Sequence, residues 1–414
     1  MAKSEYIAGL DIVNSTVKTV ILEVRAETNR PQVVGVGVSA SSGMRRGAVV
    51  DMDEAVKDIR ASIAQAQQTA NLKISKAYVG INGPHIRTQT SRGIIAVSRA
   101  DNEISNEDVQ RVIEAASAIN IPPNREIIHI IPKTFIIDGQ EYIKNPVAMS
   151  GVRLEADVLI IDALSPFVRS LVKAVNANDI EVSELVFSPL AASKAVLDKK
   201  SKEHGVLALD FGGGLCGMAI FEEGDLVHTA VLPLGSKHIT NDLAIALRTS
   251  LDTAEQVKLE HGFIRNSNGS KKEQIDLSDL TGENNFLISK KQIGEVISAR
   301  VYEILDIVSR ELKKVNKHSL LPAGVSLIGG GSKLPGFLDY TKSELRLPVR
   351  LAGPKDLDGI VNRVDDPTFA TAVGLALWGI EREVKTGKNE SGLVSLGSNQ
   401  AVKNIKRWFK NFIP

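Results

Sequence analysis

The sequence predicts an α/β protein made of two duplicated halves that flank a nucleotide cleft. Three stretches carry that expectation. Residues 205–220 read GVLALDFGGGLCGMAI: an apolar run ends in Asp210, the glycines Gly212, Gly213 and Gly214 follow, and a second apolar run leaves from Met218. Residues 6–24, YIAGLDIVNSTVKTVILEV, repeat the plan, with Asp11 at the strand end and Asn14, Ser15 and Thr16 in a small polar turn. In GVSLIGGGSKLPGF, 324–337, a strand runs into Gly329, Gly330 and Gly331 with a helix to follow. Glycine lets the backbone curl and aim its N–H groups at an anion. A strand-end carboxylate suits a hydrated Mg²⁺ beside that anion. Alone, the glycine hairpin reads equally well as a tight turn with no ligand. Its repetition is what points to a nucleotide.

Composition sets the bounds. A chain of 414 residues holds two to four domains with real cores. Hydrophobic content of 43% and charged content of 24% are ordinary for a globular protein. The net charge of +1 predicts no nucleic-acid partner. The single cysteine, Cys216, excludes a disulfide framework and a cysteine-rich zinc site. Met1 to Tyr6 is short and polar and shows no signal peptide. No apolar run approaches ~18 residues, so no membrane span is expected.

Taken in order, residues 5–39 read as three strands, the third Gln32–Val38, followed by a helix at 53–70 and a strand at 77–82. From 83 to 98 the pattern changes toward turns and short strands. A helix is expected at 105–119, with Ser105 and Asp108 as a capping pair. Residues 126–161 read as further strands, broken at NPVAMSGVRL, so 83–162 is expected to be a small α+β insertion. Ser165-Pro166 opens a helix, and another near 188–199 leads into the central hairpin. After the hairpin a strand is expected to end at Leu234-Gly235, with a helix starting near Lys237. A short helix follows at 252–262, capped by Asp252 or Thr253. Residues 265–285 read as a polar loop with strand content.

A long helix is expected from Ser289 to Asn316, with Ile293, Ile297, Val301, Ile304 and Val308 on one face. Arg300 falls inside that apolar arc. Either it snorkels or pairs with Glu303 or another acid, or it anchors a partner's carboxylate at a groove edge. The last helix of the body is expected at 367–380, and 385–400 reads as a polar linker. In the tail, 401–414, Val402, Ile405, Trp408, Phe409, Phe412 and Ile413 share an arc of roughly 140°. Lys403, Lys406, Arg407 and Lys410 occupy the rest. A basic amphipathic helix with Trp and Phe on its apolar face is the pattern of an interfacial membrane anchor for anionic lipid.

Together these segments resemble the actin/Hsp70/sugar-kinase ATPase superfamily. Residues 6–20 and 205–217 are similar to its two phosphate loops, and 324–337 to its adenosine motif. VFSPLAASKAVLD, 186–198, and TAVGLAL, 371–377, resemble its two connecting helices. Within it the chain is similar to the FtsA family of bacterial cell-division proteins. The carriers are GINGPHIRTQTSRGIIAV, NPVAMSGVRLEADV, VLPLGSKHITNDLA, AEQVKLEHG and the tail. The resemblance implies an actin-like fold: two ribonuclease-H-like subdomains flanking the cleft, an inserted α+β subdomain and a smaller subdomain. The implied division is 1–84 with 163–198, the insertion 85–162, 199–230 with 301–384, the smaller subdomain 231–300, the linker 385–400 and the helix 401–414.

The resemblance also implies ATP and Mg²⁺. Asp11 and Asp210 would position the ion, Asn14 and Ser15 would face phosphate, and Gly212, Gly213 and Gly214 would hold the other side. Lys18 either joins the phosphate contacts or is an exposed strand lysine. Gly330, Gly331, Ser332 and Lys333 would border the adenosine, with Glu255 and Lys258 near the base or ribose. The implied partners are further copies in head-to-tail filaments, other division proteins, anionic lipid and the C-terminal peptide of FtsZ. That peptide would dock near Lys290, Lys291, Arg300 and Glu303. The implied place is the cytoplasmic face of the inner membrane at the division site.

Three departures from the superfamily pattern bear on chemistry: Val13 where glycine is usual, Leu215 where threonine is frequent, and Ser188 where hydrolytic relatives carry Glu or Gln. Serine is a poor base unassisted. The expectation is ATP binding with slow or negligible hydrolysis and no catalytic residue assigned. The competing readings are a kinase of the same fold, which needs a carboxylate base not evident here, and a PilM-like pilus-assembly scaffold, which needs no lipid helix.

Overall fold

The N-terminal repeat folds as a hairpin whose nearly continuous apolar runs are buried on both faces. β1 (Glu5–Ile12) and β2 (Thr16–Val24) pair antiparallel, with Asp11 opposite Lys18. The computed structural model describes residues 5–25, 30–99, 101–264, 274–278 and 287–387. β3 (Gln32–Ala40) adds to β2, and the two-residue strands β4 (Met44–Arg45) and β5 (Ala48–Val49) form a small ribbon. α1 (Met52–Ala70), capped by Asp51, crosses back to β6 (Lys76–Ile81), which lies parallel to β1.

The insertion follows. The stretch expected to hold turns and short strands is one continuous strand, β7 (Ile86–Ala96). It pairs over its whole length with β10 (Arg153–Leu164), which supplies the cross-strand partners that local pattern does not show. α2 (Asn106–Ser117) starts with the expected reciprocal capping of Ser105 and Asp108. β8 (Arg125–Ile137) and β9 (Gln140–Ile143) complete a four-stranded sheet in the order β7-β10-β8-β9. Ile104, Val109, Val112, Phe135, Leu154 and Ile160 form its own core beneath α2.

The chain returns to the first half through α3 (Ser165–Asn176) and β11 (Glu181–Phe187), then α4 (Ser188–Val196) and the short α5 (Lys199–His204). The second half opens with β12 (Val206–Phe211), β13 (Cys216–Glu222) and β14 (Asp225–Leu232). β14 ends at Leu232 rather than Leu234, and Gly235 is the N-cap of α6 (Ser236–Leu247). α7 (Leu251–His261) is capped by Ser250, not by Asp252 or Thr253, because Ser250 is the residue with an extended backbone and its hydroxyl accepts from Thr253 N. β15 (Gln274–Asp276) and β16 (Leu287–Ser289) pair, and α8 (Lys290–Lys314) buries its apolar face. β17 (Val325–Ile328), a turn of 3₁₀ helix at Gly330–Lys333, α9 (Phe337–Leu345) and β18 (Val349–Leu351) follow. β19 (Asp358–Gly359) and α10 (Ala370–Gly387) end the described chain.

The duplication is visible in topology. The first sheet runs β11-β6-β1-β2-β3-β19 and the second β18-β17-β12-β13-β14. In each, a three-strand antiparallel meander is extended on its first strand by two parallel strands. α4 and α10 cross where the halves meet: a Cβ on Gly374 would lie 1.8 Å from Ala191 O, so only glycine permits this approach. Two expected boundaries shift. β19 joins the first sheet, and Gly9 of β1 lies directly against Ala372 of α10, so α10 packs on the first half although 301–384 was expected to belong to the second. The reason is burial: Ala372, Leu375 and Ala376 meet apolar partners there. α10 also runs to Gly387, beyond the expected linker start at 385. The remainder of the linker and all of 401–414, including Val402, Ile405, Lys406, Arg407, Trp408, Phe409, Lys410, Phe412 and Ile413, lie outside the described residues.

Candidate functional site

The two strand–Asp–turn units face each other. A Cβ on Gly214 would lie 1.9 Å from Asn14 Nδ2, and one on Gly213 would lie 3.0 Å from Ser15 Oγ. The two loops expected to hold phosphate are therefore in contact across the halves. Asn14 Oδ1 accepts from Gly47 N at 3.0 Å, which ties the first loop to the β4–β5 ribbon. Val13 N donates to Thr16 O, and Gly212 N to Leu215 O, so each loop is closed by one backbone bond.

Beneath the loops lie the two aspartates. Burial pushes the Asp11 carboxyl up to about 6 against the opposing pull of Lys18. Burial, with repulsion from Asp11, pushes Asp210 up to about 7, again against Lys18. Asp11 Oδ1 is buried without a hydrogen-bond partner among the described residues. A desolvated carboxylate pair with an oxygen left unpartnered is costly. It suits a hydrated divalent ion, whose waters supply the missing donors. Ser188 and Asp11 both border Gly80: its Cβ position lies 3.0 Å from Ser188 Oγ and 3.5 Å from Asp11 Oδ1. No carboxylate or amide takes the position of Ser188.

Lys18 is not an exposed strand lysine. It is buried, its ammonium donates to Thr16 Oγ1 at 2.8 Å and lies over the Phe369 ring. The third motif starts level with Asp210, which pairs in register with Ile328. Ser332 Oγ donates to Gly329 O at 2.6 Å, and Lys333 pairs with Asp366 at 2.6 Å. Glu255 and Lys258 bind each other at 2.7 Å, and both bind Thr240, with Lys258 also reaching Ser236 O. Lys258 is thus tied to the first turn of α6. That turn is in turn bound to the glycine loop, through Ser236 N to Gly212 O and Lys237 N to Gly213 O. Sequence reasoning passed over Lys237, whose Nζ donates to Asn14 O at 3.0 Å and bridges the halves. The available signal was a lysine in a first helical turn, where a cation is unfavourable.

The residues proposed for a partner lie on and around α8. Arg300 makes a bidentate pair with Asp242 of α6, at 2.6 and 2.9 Å, and a further bond to Glu303. Lys291 pairs with Glu295, and Lys290 lies over the Phe263 ring. The first of the two readings of Arg300, pairing with an acid, describes its geometry; Asp242 was the acid that pattern alone could not name.

Comparison with known proteins identifies the architecture. A model described as cell division protein FtsA matches residues 207–374, and one described as an SHS2 domain inserted in FtsA matches 83–162, the four-stranded insertion. The cell division protein FtsA of Neisseria meningitidis serogroup B is 35% identical over 412 residues, covering 99% of both chains. This chain belongs to the FtsA family. The FtsA-family insertion thus coincides with the sheet that has its own core. Among solved structures, a PilM-PilN type IV pilus biogenesis complex aligns with TM-score 0.67 and 18% identity, covering 90% of this chain and 98% of the other. MreB5 of Spiroplasma citri bound to AMPPNP aligns with TM-score 0.54 and 14% identity, covering 92% and 99%. These likenesses show the actin-like fold. As an FtsA-family member the protein acts in cell division. No helix among the described residues is long and apolar enough to cross a membrane.

Proposed function

We propose that this FtsA-family protein is an ATP-dependent scaffold that assembles on the inner face of the cytoplasmic membrane and tethers FtsZ filaments to it. The observation that carries the membrane part is the basic amphipathic segment 401–414, which follows a polar linker and carries no acid. One such helix binds modestly, so firm attachment comes from several copies side by side in a head-to-tail filament. The FtsZ C-terminal peptide docks on the smaller subdomain beside α8. Arg300, held by Asp242 and Glu303, with Lys290 and Lys291, forms its charged border. Other division proteins are recruited through the insertion.

The nucleotide belongs between the halves. Asn14, Ser15 and the glycine loop border its phosphates, Asp11 and Asp210 hold Mg²⁺ through water, and Gly330 to Lys333 border the adenosine. The solved MreB5 complex with AMPPNP supports this through shared fold. With Ser188 at the floor and Leu215 in the second loop, the ion and the loops supply charge and position while no side chain activates water, so hydrolysis is slow or negligible. The nucleotide then serves to close the cleft for polymerisation.

The test is co-sedimentation with anionic liposomes, with and without 401–414, in the presence of an FtsZ C-terminal peptide fused to a fluorescent protein. The expected outcome is that the intact chain pellets and carries the peptide, while the truncated chain does neither. Lipid binding that survives truncation overturns the anchor, and fits a pilus-type scaffold instead. Lipid binding without peptide overturns the FtsZ contact.

A further inference from the structure

Lys237 stands at the start of α6, in the second half, yet its ammonium reaches the first half's loop. Its Nζ donates to Asn14 O at 3.0 Å. Its Cε lies 3.9 Å from the Cβ position of Gly213, and its backbone N donates to Gly213 O at 2.7 Å. It is therefore fastened to one phosphate loop by its backbone and to the other by its side chain. It forms no ion pair among the described residues. The other lysines of the site are engaged elsewhere: Lys18 with Thr16 Oγ1 and the Phe369 ring, Lys258 with Glu255, and Lys333 with Asp366.

Two physical points make this placement informative. An ammonium has three donors, and a single neutral carbonyl is a weak partner for a full positive charge. A lysine in the first turn also opposes the positive pole of its own helix, and α6 has no acidic residue in that turn to offset it. Lys237 is exposed, so water fills its remaining donors while the cleft is empty, and an anion seated between the loops would gain a charge-assisted bond from it. We infer that Lys237 is the cation that meets the terminal phosphate of a bound nucleoside triphosphate, exchanging the Asn14 carbonyl for phosphate oxygen. This rests on the nucleotide reading above. A diphosphate lacks the group that Lys237 would meet, so the residue sets preference for triphosphate over diphosphate rather than affinity in general. It would also make the bridge between the halves depend on which nucleotide is present.

The test uses the full chain with Mg²⁺ and measures dissociation constants for ATP and ADP by competition with a fluorescent nucleotide. In Lys237→Gln the ATP affinity falls about tenfold, the effect of losing a charge-assisted bond, while that for ADP changes by less than about twofold. Lys237→Arg, which keeps the charge, retains most of the preference. The melting temperature of nucleotide-free Lys237→Gln stays equal to or above that of the parent, because a cation has left a helix N-terminus. The shift produced by ATP shrinks. Equal losses for ATP and ADP, or an unchanged ratio, overturn the inference and leave the nucleotide site standing. If the parent chain binds neither nucleotide, the nucleotide reading itself falls and the inference with it.

Discussion

The two halves carry the same hairpin and solve the same turn differently. β1–β2 turns through Val13, Asn14 and Ser15, and its polar groups are side chains. β12–β13 turns through Gly212, Gly213 and Gly214, and offers only backbone. Each hairpin leaves an aspartate at its strand end, and both carboxyls are pushed well above the ordinary carboxylate range. The bare loop is bare because the other loop leans on it: Asn14 Nδ2 occupies the place a Gly214 side chain would need. The duplication therefore preserved the frame and divided the work, with one loop supplying groups and the other supplying room.

The sharpest way to break that division is to fill the room. Gly214→Val should destabilise the nucleotide-free protein by about 2 kcal/mol, since the Asn14 side chain must give up its place. Ser15→Val, exposed in the opposite loop, should cost less than about 0.5 kcal/mol. Urea unfolding measures both. A substantial rescue of Gly214→Val by Asn14→Gly would show that the clash is between these two residues. Equal costs for the two loops would end the asymmetry.

Next in size are the carboxylates. Asp11→Asn and Asp210→Asn should each stabilise the nucleotide-free protein by about 1–2 kcal/mol at pH 7, because each removes a desolvated charge. Both should abolish the stabilisation produced by Mg²⁺-ATP. The pH dependence has a definite sign. Both carboxyls titrate higher in the folded protein than in the unfolded chain. Between about pH 4 and 7 the folded state therefore holds more protons, and this contribution to stability is lost as pH rises through that window. The difference in melting temperature between parent and variant, followed over pH 4 to 8, should widen toward pH 7. A flat difference would mean the carboxylates are not desolvated.

Lys18→Met should cost about 1 kcal/mol at pH 8, where both carboxylates are charged and lose their common cation, and less at pH 5. Thermal melts at the two pH values check this. A small effect also belongs to Val13→Gly, which should cost under about 1 kcal/mol through backbone entropy. It should also leave ATP turnover slow, because Ser188 still supplies no base. A large rise in turnover, followed by phosphate release, would shift the cause of slow hydrolysis from Ser188 to Val13.

Much of this protein was legible in one dimension. Asp11, Asp210 and the glycines between β12 and β13 announced themselves because a strand end, a carboxylate and a turn are adjacent in sequence. Ser105 and Asp108 were readable for the same reason, as capping is decided within one helical turn. The duplication was readable because the plan is written twice. What tertiary structure alone decided involves partners far apart along the chain. Arg300 is answered by Asp242, and Lys333 by Asp366. β7 is a single strand because β10 pairs with it residue by residue, although its own pattern suggested turns. α10 rests on the first sheet because Gly9 of β1 and Gly379 of α10 allow close approach there, a fit no periodicity expresses. Lys237 is the clearest case. Sequence placed it at the start of a helix, where its charge is out of place. Only the meeting of the two halves set its ammonium on Asn14 O of one hairpin loop while its backbone N holds Gly213 O of the other.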